Sequence, residues 1–173
     1  GLQRDTVLAE DGDSRTVVIA RMDDPQIAAI AREIASAIGN DTAVLDERSV
    51  LGLDEGLAPE LQQQHLVLIG NAWNNRAIFR LYIRERALCD GDYPGPGGWI
   101  VRTICSAWTS GNNAIVVGAS DAEGLDGALA TFTSALQRED DAVVLPWEWR
   151  FRSGVDTEGD PIYARRSYSE AEL

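Results

Sequence analysis

The chain is short of the residue types from which catalytic centres are usually read. It has one histidine, one methionine and two cysteines among 173 residues. One histidine and no G-x-S-x-G turn exclude a legible Ser-His-Asp constellation. His65 has no cysteine or histidine partner at ligand spacing and reads as a strand-edge residue, while Cys89 and Cys105 are too few and too far apart for a zinc site. No catalytic, metal or cofactor set is therefore nominated. The two cysteines allow either one disulfide or two free, partly buried thiols. Long apolar runs are also missing: none approaches the ~20 residues that span a bilayer. The first residues, starting at Gly1, carry no basic-then-apolar leader pattern, which leaves a processed product or an excised domain as readings. Basic charge is scarce, with 15 basic against 28 acidic side chains and a net charge of −13. Such a surface repels phosphate backbones and anionic lipid, so neither nucleic-acid binding nor membrane insertion is expected.

What is present is the pattern of an α/β domain. His65-Leu-Val-Leu-Ile-Gly-Asn71 and Asn113-Ala-Ile-Val-Val-Gly-Ala-Ser120 are apolar runs that end in glycine and a small polar residue and then enter a helical pattern. Buried strands that feed helices read this way. Further strands are expected at Arg15–Arg21, Ala43–Leu45, Trp99–Cys105 and Ala142–Leu145, the last extending through Pro146 toward Phe151. Asp24-Pro25 opens a helix whose stripe is Ile27, Ile30, Ile34 and Ile38, closed by Gly39-Asn40. A second helix is expected from Asn75 to about Leu88, with Ile78, Leu81, Tyr82 and Leu88 facing the sheet and Arg76, Arg80 and Arg84 forming a basic ridge elsewhere. That ridge reads as internally paired, or as a contact for an acidic polysaccharide. Ser120-Asp-Ala-Glu123 reads as a capping box for a third helix, which carries Leu125, Leu129, Phe132 and Leu136 inward and ends near Arg138.

The expected fold is α/β: a single sheet of five or six strands, partly parallel, with three helices packed on it. Residues 1–14 are expected to fray, 15–152 to form the domain, and 153–173 to be a polar tail or linker. Ligands of open α/β sheets bind where strands end and helices begin. That rule nominates Asn71, Asn74, Asn75, Ser120 and Asp121 as ligand-binding residues on one rim, suited to sugar hydroxyls or a small polar ligand. The competing reading is that they cap helices and satisfy turn amides.

The other candidates have bland alternatives. Tyr93-Pro-Gly-Pro-Gly-Gly98 is glycine-rich, but it enters a strand and lacks the Lys-Ser/Thr of a phosphate loop, so a stiff structural loop is expected. Asp90 and Asp92 flank a loop glycine and are the nearest to a carboxylate pair, which glycoside hydrolysis would need roughly 5–10 Å apart. Solvated loop residues are the simpler reading. Trp147 and Trp149 would share one strand face and are nominated as an interface, while Trp73 and Trp108 fall in turns.

Residues 66–137 also carry a family likeness. They combine Leu66-Val-Leu-Ile-Gly-Asn71, Asn75, Cys89-Asp-Gly-Asp-Tyr-Pro-Gly-Pro-Gly-Gly98, Val101-Arg-Thr103 and Asn113 to Gly124. This resembles the small α/β domain that precedes the catalytic part of secreted bacterial carbohydrate-active proteins. Heparinase-like polysaccharide lyases and some glycoside hydrolases are the nearest types; Ile115 to Gly124 matches their I-V-V-G-(G/A)-S-D-x-x-G turn. A looser likeness extends to prokaryotic surface-layer proteins. The resemblance implies a secreted or periplasmic, non-catalytic accessory domain, with an adjacent domain of a larger polypeptide and a polysaccharide as partners. It carries over no catalytic residue. A stand-alone protein binding a small polar ligand and a structural cell-surface module remain the alternatives.

Overall fold

A computed structural model describes residues 5–51 and 56–154. The expected tail, apart from Ser153 and Gly154, lies outside the described residues. Ten strands and three α-helices are present among them: β1 (Thr6–Glu10), β2 (Asp13–Ser14), β3 (Thr16–Ala20), α1 (Pro25–Ile38), β4 (Ala43–Asp46), β5 (His65–Gly70), α2 (Arg76–Tyr82), β6 (Trp99–Ile104), β7 (Ala114–Ala119), α3 (Ala122–Ala135), β8 (Gln137–Glu139), β9 (Ala142–Leu145) and β10 (Trp149–Arg152).

The main sheet has six strands in the order β10-β6-β7-β5-β3-β4. Its β4, β3, β5 and β7 strands run parallel, while β6 is antiparallel to β7 and β10 to β6. The fold is α/β with a mixed sheet. Strands β3 and β7 are buried along their whole length, and β5 at all but His65, because helices or loops cover both faces. On one face α1 and α3 enclose Val18, Val67, Ile69, Ile115 and Val117. On the other, α2 and the turns at 47–49 and 59–63 enclose Ile19, Leu66, Leu68, Val116 and Ile100. The Ile27, Ile30, Ile34 and Ile38 stripe is at most 5% exposed, and each such side chain contributes about 2 kcal/mol on burial.

Several expectations are corrected. The single sheet is joined by a second, antiparallel one of order β2-β1-β9-β8. Residues 6–14 do not fray, because β1 pairs with β9 from the far end of the chain and buries Thr6 and Leu8. Such a long-range pairing leaves no local signal in so short a segment. Residues 142–145 belong to this second sheet, and after Pro146 the chain returns to the main sheet as β10. Helix α2 stops at Tyr82, and Glu85 takes a positive φ of 56°. Leu88 is consequently 50% exposed, and Cys89 is buried in its place. Helix α3 ends at Ala135, since Leu136 is extended and the next three residues pair with β9. Among the described residues no helix is long and apolar enough to cross a membrane.

Candidate functional site

The parallel strands β5 and β7 end side by side, with Gly70 opposite Gly118. Neither position has room for a side chain. Gly70 has φ +113° and lies against the Asn74 amide, and a Cβ on Gly118 would stand 2.9 Å from both Cys89 Sγ and the Gly70 carbonyl. Helix α1 follows β3 and α3 follows β7 on the same face, whereas α2 follows β5 onto the opposite one. The end of β5 therefore lies between the N-termini of α1 and α3, and a crevice of about 130 Å³ forms there. Open α/β sheets place their ligand crevices at such switches of direction.

Four of the five nominated rim residues line this crevice: Asn71, Asn74, Ser120 and Asp121. Asp24 and Gln26 at the start of α1 also line it, and neither is among the residues nominated from the sequence. The sequence does carry a signal for them, since Asp24 is a helix cap directly after a strand. Asn75 is not at the rim. It is 1% exposed; its Oδ1 accepts from Ala77 N and Ile78 N, and its Nδ2 donates to the Ile19 and Ile69 carbonyls. It caps α2 and ties that helix to two strands.

The rim groups are largely engaged in holding backbone. Asn71 Nδ2 donates to the Ala119 carbonyl at 2.9 Å, and its Oδ1 accepts from Trp73 N. Asn74 Oδ1 accepts from Asn71 N at 2.7 Å. Ser120 does not cap α3 as expected: its Oγ accepts from Gly95 N, and Asp121 is the cap through Gly124 N. Asp121 also accepts from Gly97 N, so it joins the proline-glycine loop to α3. The backbone N–H groups of Gly124 and Gly97 hold the Asp121 carboxyl below its ordinary range. Asp24 and Asp121 each place a carboxylate at a helix N-terminus, which offsets the positive end of the helix dipole. An anion gains little there, and the crevice suits a small, neutral, hydroxylated group.

The sequence matches no family model and no curated protein. The functional reading therefore depends on the geometry and on the resemblance in residues 66–137.

The remaining nominated residues lie elsewhere. Trp147 and Trp149 are 37% and 39% exposed. They do not share a strand face as expected, because β10 begins at Trp149; Phe151 is its partner on that face. The Arg102 guanidinium lies 4.9 Å from the Trp149 ring centroid, and burial pushes its pKa down. Behind the strand, Glu148 is 5% exposed and pairs with Arg150 at 2.7 Å; burial raises its carboxyl. Asp90 accepts from Tyr82 Oη and from the amides of Asp92 and Tyr93, which makes it the anchor of its loop. The expected Arg76–Arg80–Arg84 ridge is broken because α2 ends before Arg84. Arg76 turns to Glu47, a carboxylate 1% exposed that accepts from Arg76 N and Arg21 Nη2. Nothing in the sequence singled out Glu47. Cys89 and Cys105 are both free thiols, and burial pushes Cys89 up to about 12. Among the described residues no three His, Cys, Asp or Glu side chains are grouped to hold a metal ion.

Proposed function

We propose that this chain is a non-catalytic α/β domain of a secreted, multidomain polysaccharide-degrading protein, and that it packs beside the catalytic domain. The observation that carries the packing role is the aromatic edge. Trp147, Trp149 and Phe151 are each more than a third exposed within five residues at one border of the main sheet. Clustered aromatic surface of this kind is costly to leave in water and is characteristic of interfaces. The same ring faces are suited to stacking on sugar rings, which gives the domain a means of holding glycan. Secretion and the polysaccharide substrate are supported by the resemblance in residues 66–137.

Hydroxyl-radical footprinting tests this, on the chain alone and on the full native polypeptide. The expected result is strong labelling of Trp147, Trp149 and Phe151 in the chain alone and protection of all three in the longer protein. Equal labelling in both contexts would overturn the packing role.

A second reading is a binding site for a small polar ligand, favoured by the crevice between the α1 and α3 N-termini. Titration with neutral monosaccharides should then shift the NMR amide signals of Asn74 and Ala122 while leaving those of β10 unchanged. No shift with any sugar dismisses it.

A further inference from the structure

Helix α2 turns Ala77, Ile78 and Leu81 into the core, and its opposite side is apolar as well. Phe79 and Ile83 stand one turn apart there, joined by the bond from Ile83 N to the Phe79 carbonyl at 3.0 Å. Trp73 and Leu88 flank a second bond, from Ala72 N to the Cys89 carbonyl at 2.9 Å, and Ala72 and Cys89 both pack into the α2-side core. Tyr82 Oη, donating to Asp90 at 2.7 Å, ties the last turn of α2 to that stretch. The four large side chains therefore gather on one side of the domain, each between 44% and 70% exposed. Single exposed apolar residues are ordinary, but a group of four marks a contact surface.

The same stretch is basic on an acidic chain. Four arginines and one glutamate fall between residues 76 and 86, against a net charge of −13 for the whole. Arg86 is engaged by the Cys105, Ser106 and Ala107 carbonyls, and Arg76 lies 3.7 Å from the buried Glu47. Arg84 is exposed and directly follows Ile83. A cation beside an apolar face selects a partner that carries carboxylates beside its own.

We propose that this face docks an amphipathic helix of the neighbouring domain, one whose apolar stripe is bordered by carboxylates. The proposal rests on the reading that this domain packs against another. Apolar residues spaced three and four apart on the incoming helix lie over Phe79 and Ile83, with Trp73 and Leu88 beside them, and a carboxylate reaches Arg84. An acidic glycan would match the charge, but the branched Ile83 and Leu88 offer no ring face for a sugar to stack on. A second copy of this chain fits less well. A two-fold contact through this face sets one basic segment against the other, and each copy brings −13.

The test titrates the full chain, followed by NMR, with two synthetic helical peptides that share a leucine stripe, one flanked by glutamate and one by lysine. The glutamate peptide should shift the Trp73 indole N–H and the Ile83 δ1 methyl. It should bind about tenfold more tightly than the lysine peptide, a difference that shrinks at high salt. Ile83→Asp should abolish binding with little change in Tm, since the position is exposed, whereas Ile83→Val should retain it. Arg84→Glu should shift the preference toward the lysine peptide. Equal binding of both peptides overturns the proposal, as does undiminished binding to Ile83→Asp. So does a chain that shields Ile83 by itself or as a dimer, or an oligogalacturonate that shifts the Trp73 indole when the glutamate peptide does not. If the glutamate peptide fails while the full native polypeptide protects Trp147, Trp149 and Phe151, docking on α2 fails and the packing role survives. If those three are open there as well, both fail.

Discussion

The side-chain amide of Asn71 donates to the backbone carbonyl of Ala119 across 2.9 Å, joining the residue after β5 to the last residue of β7. The link is 5% exposed at Asn71 and lies at the floor of the crevice between α1 and α3. Asn71 is therefore a clamp on two strand ends as well as a lining residue. Asn71→Ala is expected to lower stability by about 2 kcal/mol, because the Ala119 carbonyl and Trp73 N both lose a partner in a nearly dry site. Chemical denaturation checks this. An unchanged midpoint would mean that the strand ends hold without the clamp.

Gly118→Ala should destabilise the domain by about 2 kcal/mol through overpacking, since the new methyl would stand 2.9 Å from Cys89 Sγ and from the Gly70 carbonyl. Pairing it with Cys89→Ala removes one of those two neighbours. The double variant should then lose less than the sum of the singles, a coupling that a double-mutant cycle reads directly. Simple additivity would place the strain elsewhere.

His65 makes the pH dependence easy to isolate, being the one histidine in the chain. Its Nδ1 accepts from Asn113 N, which requires the neutral ring, and burial followed by the Arg15 charge pushes its pKa below the ordinary value. The unfolded chain then binds a proton more readily than the folded one. Stability is present above the unfolded value of about 6.5 and is lost as pH falls below it. NMR titration of the imidazole should give a pKa under 6.5, and His65→Gln should flatten the stability profile between about pH 7 and pH 5. A raised imidazole pKa would contradict the bond to Asn113.

Asp121 behaves in the opposite sense. Its carboxyl is held below the ordinary value by the Gly124 and Gly97 amides, so the folded state favours the ionised form. That contribution is complete above the unfolded value of about 3.9 and disappears as pH falls through the folded one. Thermal melting below about pH 4 should therefore be less steeply acid-dependent in Asp121→Asn than in the parent. Parallel acid profiles would remove Asp121 from the account.

Much of the fold was legible because it is written in local patterns. The β5 and β7 runs, the isoleucine stripe of α1 and the Asp24 cap each depend on residues within a few positions of one another. The parts that escaped depend on distant partners. Strand β1 is held by β9, about 135 residues away, and β10 by β6 across an intervening β7–α3 unit. The crevice was legible as a place, since Asn71, Asn74, Ser120 and Asp121 do meet there. The assignment of each side chain was not. An Asn-rich turn looks the same in sequence whether its amides face a ligand or, as in Asn75, bridge the Ile19 and Ile69 carbonyls inside the core. Helix α2 was overextended because Leu88 continued its apolar spacing, while the positive φ at Glu85 that redirects the chain has no glycine to announce it.

The intact mass of the mature protein from its native source tests the central claim most directly. An accessory domain that packs through Trp147, Trp149 and Phe151 predicts a single polypeptide well above the 18.8 kDa of this chain. A mature mass of 18.8 kDa would contradict it and leave the crevice between α1 and α3 as the site to pursue.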